Sequence, residues 1–276
     1  MARERHTTHG RGNFRERNNG WPATRDHWVY EVSEQSVNRR TTKETLEQLK
    51  QVSTATLSSQ LHKRGFRQLV MRGVAPLRPD LRLAGQAFTL RYIPAREDLE
   101  RSGEFDNRTN RQRLAVEQVG QGDVLVIDAR GDTRAGTLGN ILATRIAARG
   151  AAGIVTDGAF RDSPAIRAID LPTYAGGAHP NISFTIHHPI DINVPIACGG
   201  VAVMPGDVIV GDAEAVIVIP YAMAEEVARD ALAQEQREAF ILTKVAAGSS
   251  IVGVYPPDEA TLQEYENWRA GKAPPG

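Results

Sequence analysis

The chain has 276 residues, 41 % hydrophobic and 24 % charged, the composition of a globular protein able to bury its own core without disulfide staples. Lys plus Arg and Asp plus Glu both number 33, and this balance argues against a nucleic-acid or membrane surface as a property of the whole molecule. The single cysteine, Cys198, excludes an internal disulfide framework, no apolar run approaches the ~18 residues of a spanning helix, and the polar N-terminus lacks the apolar stretch of a secretory leader; a cytoplasmic setting is expected.

Residues 1–40 are rich in charge and poor in aliphatic side chains, which predicts an N-terminal arm, either flexible or wrapped on a neighbouring subunit through Trp21, Trp28, Val29 and Tyr30. Regular structure starts at Thr41, which has capping-box spacing with Glu44, and Leu46, Leu49 and Val52 follow at helical intervals. A second helix is expected over 54–63, stopped by Gly65. Pro76 and Pro79 mark a loop, residues 83–93 alternate as a strand, and the polar stretch 94–108 reads as a surface loop or lid. A short helix over 111–119 precedes VLVID (124–128), an apolar run typical of a buried strand. Residues 131–162 (GDTRAGTLGNILATRIAARGAAGIVTDGAFRD) then give a glycine loop, a helix over about 138–149 and a strand over 154–156, which makes a right-handed βαβ unit. Beyond it we expect a short helix over 164–169 and strands at 172–174, 182–186 and 193–197. Three β runs over 199–220, a long amphipathic helix over 221–240 and a last helix over 258–269 complete the chain. The pattern predicts an α/β fold with one central domain, 41–257, flanked by the arm and by a C-terminal helix and tail, 258–276.

Two features can carry chemistry. Gly131, Gly136 and Gly139 let backbone approach a ligand, and the amides of Gly139, Asn140, Ile141 and Leu142 point out of a helix N-terminus, where the dipole favours an anion. The same glycines also suit a tight turn with no ligand. The spacing is neither a dinucleotide fingerprint nor a Walker loop. Arg161-Asp162, past the next strand, reads either as a surface ion pair or as a pair in which Asp162 holds a divalent cation and Arg161 clamps a carboxylate or oxyanion. Both features fall at the carboxyl ends of consecutive strands, where α/β folds bind ligands. His179, His187 and His188 fit no common zinc spacing, Cys198 reads as a small buried residue, and the chain has no Gly-x-Ser-x-Gly elbow.

The segment LGNILATRIAARGAAGIVTDGAFRD, followed by GGVAVMPGDVIVGDAEAVIVIP, resembles the RraA-like family over roughly residues 45–245. That family unites regulators of ribonuclease E activity with 4-hydroxy-4-methyl-2-oxoglutarate/4-carboxy-4-hydroxy-2-oxoadipate aldolases and members labelled demethylmenaquinone methyltransferase-like. The resemblance implies a swivelling β/β/α fold, a homotrimer or homohexamer with the site between subunits, and Mg2+ or Mn2+. It makes Asp162 the metal ligand, Arg161 the catalytic group that binds the oxygens of pyruvate, and the amides of Gly139, Asn140, Ile141 and Leu142 the holders of the pyruvate carboxylate. The implied activity is that of a metal-dependent carbon–carbon lyase: class II retro-aldol cleavage of a 4-hydroxy-2-oxo acid to pyruvate, with oxaloacetate decarboxylation as a side activity. Its alternatives are a non-catalytic regulator of a ribonuclease and a sugar-acid dehydratase. One departure stands out: Asn140 occupies the place where the aldolases carry an acid, and Asn cannot accept a proton from water. Glu235 or Glu238 of a neighbouring subunit's long helix is a candidate substitute.

Overall fold

The computed structural model describes residues 40–98 and 106–271; the arm predicted over 1–40 lies, but for Arg40, outside the described residues, as do the middle of the 94–108 loop and the tail from 272. Helix α1 (Lys43–Gln51) is capped by Thr42, whose side chain accepts from Thr45 N, so the Thr41–Glu44 capping box does not form. Thr41 N is instead taken by Gln86 Oε1 at 3.1 Å. Helix α2 (Thr54–Lys63) is capped by Ser53.

Strands β1 (Ala75–Pro76), β2 (Leu83–Pro94), β3 (Asp123–Asp128), β4 (Gly153–Phe160), β5 (Thr173–Ala178), β6 (His187–Ile192), β9 (Val208–Gly211) and β10 (Val216–Ile219) form a mixed eight-stranded sheet among the described residues, in the order β1-β5-β4-β3-β2-β9-β10, with β6 also paired to β2. Strand β2 is the trunk. One edge runs parallel to β3; the other pairs antiparallel with β9 along Leu83–Gln86 and with β6 along Leu90–Pro94. Strands β2, β3, β4 and β5 are mutually parallel, and their apolar composition follows from being covered on both faces.

Helices α3 (Arg111–Gln118), α4 (Asn140–Ala148) and α5 (Ser163–Arg167) cover one face, where Leu125, Ile127, Ile146, Ile154 and Phe160 are fully buried. The hairpin β7 (Ile196–Cys198) and β8 (Val201–Val203) covers the other, over Val124, Val126 and Val155. The alternation of odd and even residues in β3 and β4 thus sorts their side chains between two cores. Helix α6 (Ala224–Ala246) packs with α1 and α2 on β9 and β10, and its C-terminal half joins α7 (Glu259–Arg269) through Phe240 and Tyr265. No helix among the described residues is long and apolar enough to cross a membrane.

Two expectations are corrected. Residues 182–186 are not a strand; Ser183–Thr185 is a 3-10 turn, closed by Thr185 N and Ile186 N donating to Ile182 O and Ser183 O. The strand of that region is β6, which sequence patterning hides because Pro189 lies inside it; Pro189 sits opposite Tyr92, where the β2–β6 register shifts. Strand β4 also outruns its expected end, continuing through Asp157-Gly158 with a register shift between Thr156 and Ala159.

Candidate active site

The glycine loop and the Arg161-Asp162 pair come together. Gly136 N donates to Asn181 O (3.0 Å), Thr137 N to Ala159 O (2.7 Å) and Arg161 N to Leu138 O (2.9 Å), so the loop runs alongside the end of β4 like an extra strand. The contact is too close for side chains. A Cβ on Gly136 would lie 2.5 Å from Arg161 N, and one on Gly139 would lie 2.7 Å from Asp162 Oδ2. These glycines exist to let the two segments touch.

Gly139 is the N-cap of α4, with no side-chain cap hydrogen bond, and the first intrahelical bond there is Ala143 N to Gly139 O. The amides of the first turn are therefore left without intrahelical acceptors at the helix end, which lines a cavity of about 640 Å3. Gly139, Asn140, Ile141, Leu142, Arg161 and Asp162 all line that cavity, so every site residue read from the sequence falls in one place. Asp162 itself is left-handed (φ 60°, ψ 33°), at the N-cap of α5 without a capping bond. Its carboxylate is 40 % exposed and meets Arg161 Nε only at 3.7 Å, beyond hydrogen-bond length. A carboxylate held in a strained backbone and not consumed by donors is suited to a ligand.

The donor set can be tested against a divalent ion. Among the described residues no three His, Cys, Asp or Glu side chains gather to form a protein cage. One carboxylate with open surroundings fits Mg2+ or Mn2+, which keep waters and share their shell with a chelating substrate. His187 does not belong to the site: it is fully buried against Tyr92 (ring centroids 5.3 Å), and burial brings its pKa down to about 4. His188 lies on β6 away from the cavity lining, while His179 faces the other side of the Arg161-Asp162 turn and accepts from Asn181 N through Nδ1. Cys198 is fully buried, and burial pushes its thiol well above the ordinary range. Glu235 accepts from Ser53 N (2.9 Å) and Ser53 Oγ (2.7 Å), and Glu238 from Gln234 Nε2 (2.9 Å), so both carboxylates are engaged within their own chain.

Sequence reasoning missed the support beneath the loop. Tyr92 Oη (3.0 Å) and Gln112 Nε2 (2.5 Å) both donate to Thr137 O, and both side chains are buried. Burial pushes the Tyr92 hydroxyl up to about 12, against smaller opposing effects of Ser183, Gln112 and Arg113 beside it. On the opposite face, Asp157 accepts from Ala129 N (2.7 Å) and Gly131 N (3.0 Å) and fixes the start of the loop; burial raises its pKa. The only forewarning was a polar residue inside an apolar strand.

Fold and site together define an α/β protein in which the N-terminus of a helix, a carboxylate and a guanidinium line one cavity. The RraA-like model (Aldolase/RraA) matches residues 54–218, and the chain belongs to that family. Its fold is the swivelling β/β/α arrangement of the family's solved members. Streptomyces coelicolor RraAS2, described as an unusual member of the RNase ES inhibitor RraA family, is 34 % identical with a TM-score of 0.67, covering 73 % of this chain and 97 % of that one. An uncharacterized Pseudomonas syringae protein is 26 % identical with a TM-score of 0.67, over 79 % of this chain and 99 % of that one. A Halalkalibacterium halodurans protein, named provisionally as a 4-hydroxy-4-methyl-2-oxoglutarate aldolase, is 41 % identical over 138 residues. That match covers 48 % of this chain and 65 % of the relative, under two thirds of its length.

Proposed function

We propose that the protein is a divalent-metal-dependent carbon–carbon lyase that cleaves a 4-hydroxy-2-oxo acid to pyruvate and also decarboxylates oxaloacetate. The observation that carries this reading is the contact of two motifs distant in sequence: the Gly136–Gly139 loop backs directly onto Arg161-Asp162. The aldolase name of the H. halodurans relative supports it. Residues 41–257 form the catalytic domain in this reading, with 1–40 as an arm and 258–276 as an accessory helix and tail. Ile141, 79 % exposed at the cavity wall, is an apolar side chain that a neighbour in the expected homotrimer or homohexamer would cover.

Asp162 would hold Mg2+ or Mn2+, which supplies Lewis-acid polarisation of the 2-oxo group. The amides of Gly139, Asn140, Ile141 and Leu142 receive the substrate's C1 carboxylate at the positive end of α4. The proton of the 4-hydroxyl leaves, C4 becomes a carbonyl, and the electrons of the C3–C4 bond move onto the pyruvate fragment. Arg161 offsets the negative charge that builds on the C2 oxygen, as a preorganised donor aimed at developing charge. A proton then returns to C3. Asn140 orients a water but takes no proton, so the 4-hydroxyl proton leaves through water rather than through a side chain of this loop.

The test is pyruvate release from oxaloacetate and from 4-hydroxy-2-oxo acids, with and without Mn2+. Metal-stimulated release that disappears in Asp162→Ala is the expected result, and an unchanged rate in that variant sinks the model. A second reading, a regulator that docks on a ribonuclease, is favoured by the likeness to RraAS2 and by Asn140 in place of an acid. It wins if no oxo acid is turned over and the protein instead inhibits a ribonuclease it co-purifies with.

A further inference from the structure

The C-terminal part of the chain carries an apolar face that no other described residue covers. Six of the eight large apolar side chains that stand exposed among the described residues fall within 242–268, beyond the 54–218 stretch that the family model matches. Five of these six surround one small core. Val254 is buried there with Phe240, Ile241 and Tyr265, so α6, the turn over 251–255 and α7 meet at one point. Gly253 O accepts from Asp258 N (2.8 Å) and Thr261 Oγ1 (3.0 Å), which lays the turn against the start of α7. Val252 leaves that turn at 85 % exposure, and Ile251 and Tyr255 beside it are more than half exposed. Leu262 follows Thr261 on α7, and the Trp268 ring lies 5.6 Å from that of Phe240 and 6.2 Å from that of Tyr265 by centroids. Both keep about two-fifths of their surface exposed. Asp258 caps α7 by accepting from Thr261 N at 2.9 Å, and Lys244 ties α6 to it through Glu264. The apolar groups are therefore carried by ordered structure.

Size and charge together define the partner. The five side chains leave roughly 550 Å2 uncovered in each copy, the size at which an apolar patch marks an interaction site. Two such faces would bury about 1,100 Å2 before any polar rim is added, which clears the threshold for a specific protein interface. The two cations among residues 240–271 are both engaged: Lys244 with Glu264, and Arg269 with Glu266 at 3.2 Å. That leaves no free positive charge to recruit anionic lipid or nucleic acid. The face fits a partner that is apolar and needs no counter-charge, and the face itself is such a surface. We propose that two copies of this chain pair through it, each setting Ile251, Val252, Tyr255, Leu262 and Trp268 against the same residues of the other. None of the five lines the active-site cavity, so the pairing does not depend on the lyase reading.

The experiment is the solution mass of the full-length chain by light scattering at micromolar concentration, for wild type, Ile251→Asp and Val252→Asp. Both positions are exposed, so each variant should keep the wild-type circular dichroism spectrum. Each aspartate meets its symmetry mate across the two-fold, and the mass should fall to half the wild-type value. Tyr255→Phe, which keeps the apolar surface, should leave the mass unchanged. Unchanged mass in both aspartate variants overturns the proposal, as does a wild type that runs as a single chain. Trp28→Asp should also leave the mass unchanged. If it halves the mass as the aspartates on the face do, the N-terminal segment of a neighbour fills this surface and the like-on-like pairing is wrong. Unchanged mass combined with co-sedimentation of wild type, but not of Val252→Asp, on phosphatidylcholine vesicles would assign the face to a membrane instead.

Discussion

Asp162 pays for its place in backbone conformation. A non-glycine residue at φ 60° costs on the order of 1 kcal/mol, and neither a capping bond nor a close ion pair offsets it. Asp162→Gly should therefore keep the protein's stability or raise it by up to about 1 kcal/mol, while metal-stimulated pyruvate release is lost. Thermal unfolding beside the activity assay checks both halves; a loss of stability beyond about 1 kcal/mol would mean the carboxylate is structural. Asn140 supports the opposite kind of prediction. Asn140→Asp restores a group that can accept a proton beside the first-turn amides, and it should raise retro-aldol turnover by roughly 10²-fold, with a new rise in rate through the carboxylate titration range. Steady-state kinetics against pH decide it, and an unchanged rate would show that proton removal does not limit turnover.

At the scale of elements, the site depends on how closely the glycine loop lies on β4. Gly136→Ala places a Cβ against the backbone of Arg161, where nothing flexible can yield. The expected cost is about 1–3 kcal/mol of stability together with loss of activity, since the loop must lift off the Arg161-Asp162 turn. Chemical denaturation and pyruvate release measure the two effects. Tyr92→Phe is milder. Thr137 O keeps the Gln112 donor, so the cost is about 1 kcal/mol, and the predicted signature is weaker binding of pyruvate with little change in Mn2+ affinity, as titration calorimetry reads it. Equal losses for both ligands would contradict the assignment of Tyr92 to the anion loop.

For the whole molecule, a buried carboxylate sets a pH dependence of stability. Asp207 accepts from Met204 N (2.9 Å) and Tyr221 N (3.2 Å), and burial outweighs these bonds and raises it from 3.8 to about 6. The folded state then holds a proton that the unfolded chain releases. Its contribution is full below about pH 3.8 and is lost as pH rises through about 6, a span of roughly 2–3 kcal/mol. His187 works in the opposite sense. Its folded form stays neutral down to about pH 4, so stability falls as pH drops below about 6.5. These two contributions oppose each other between about pH 4 and 6. Asp207→Asn should expose the histidine slope, with stability rising as pH goes from 4 to 6.5; denaturant midpoints across that range check it, and a flat profile in the variant would refute the balance.

Much of this protein is legible in its sequence because the deciding signals are local. The apolar runs of β3 and β9–β10 and the helical spacing of α2 and α6 are written residue by residue. So are the glycines before α4 and the Arg161-Asp162 pair, since only glycine permits the approach and only charged groups can do the chemistry. Where a local signal was ambiguous, the tertiary structure decided. Ile182, Phe184 and Ile186 alternate as in a strand, yet they belong to a 3-10 turn that wraps the cavity wall. Pro189 looks like a breaker, yet it is accommodated where the register of β2 and β6 shifts. The clamp of Tyr92 and Gln112 on Thr137 draws on β2, α3 and the loop before α4, which are far apart along the chain. No spacing rule joins those residues. Sheet pairing and helix packing bring them within reach of one another, and burial then holds both donors on Thr137 O.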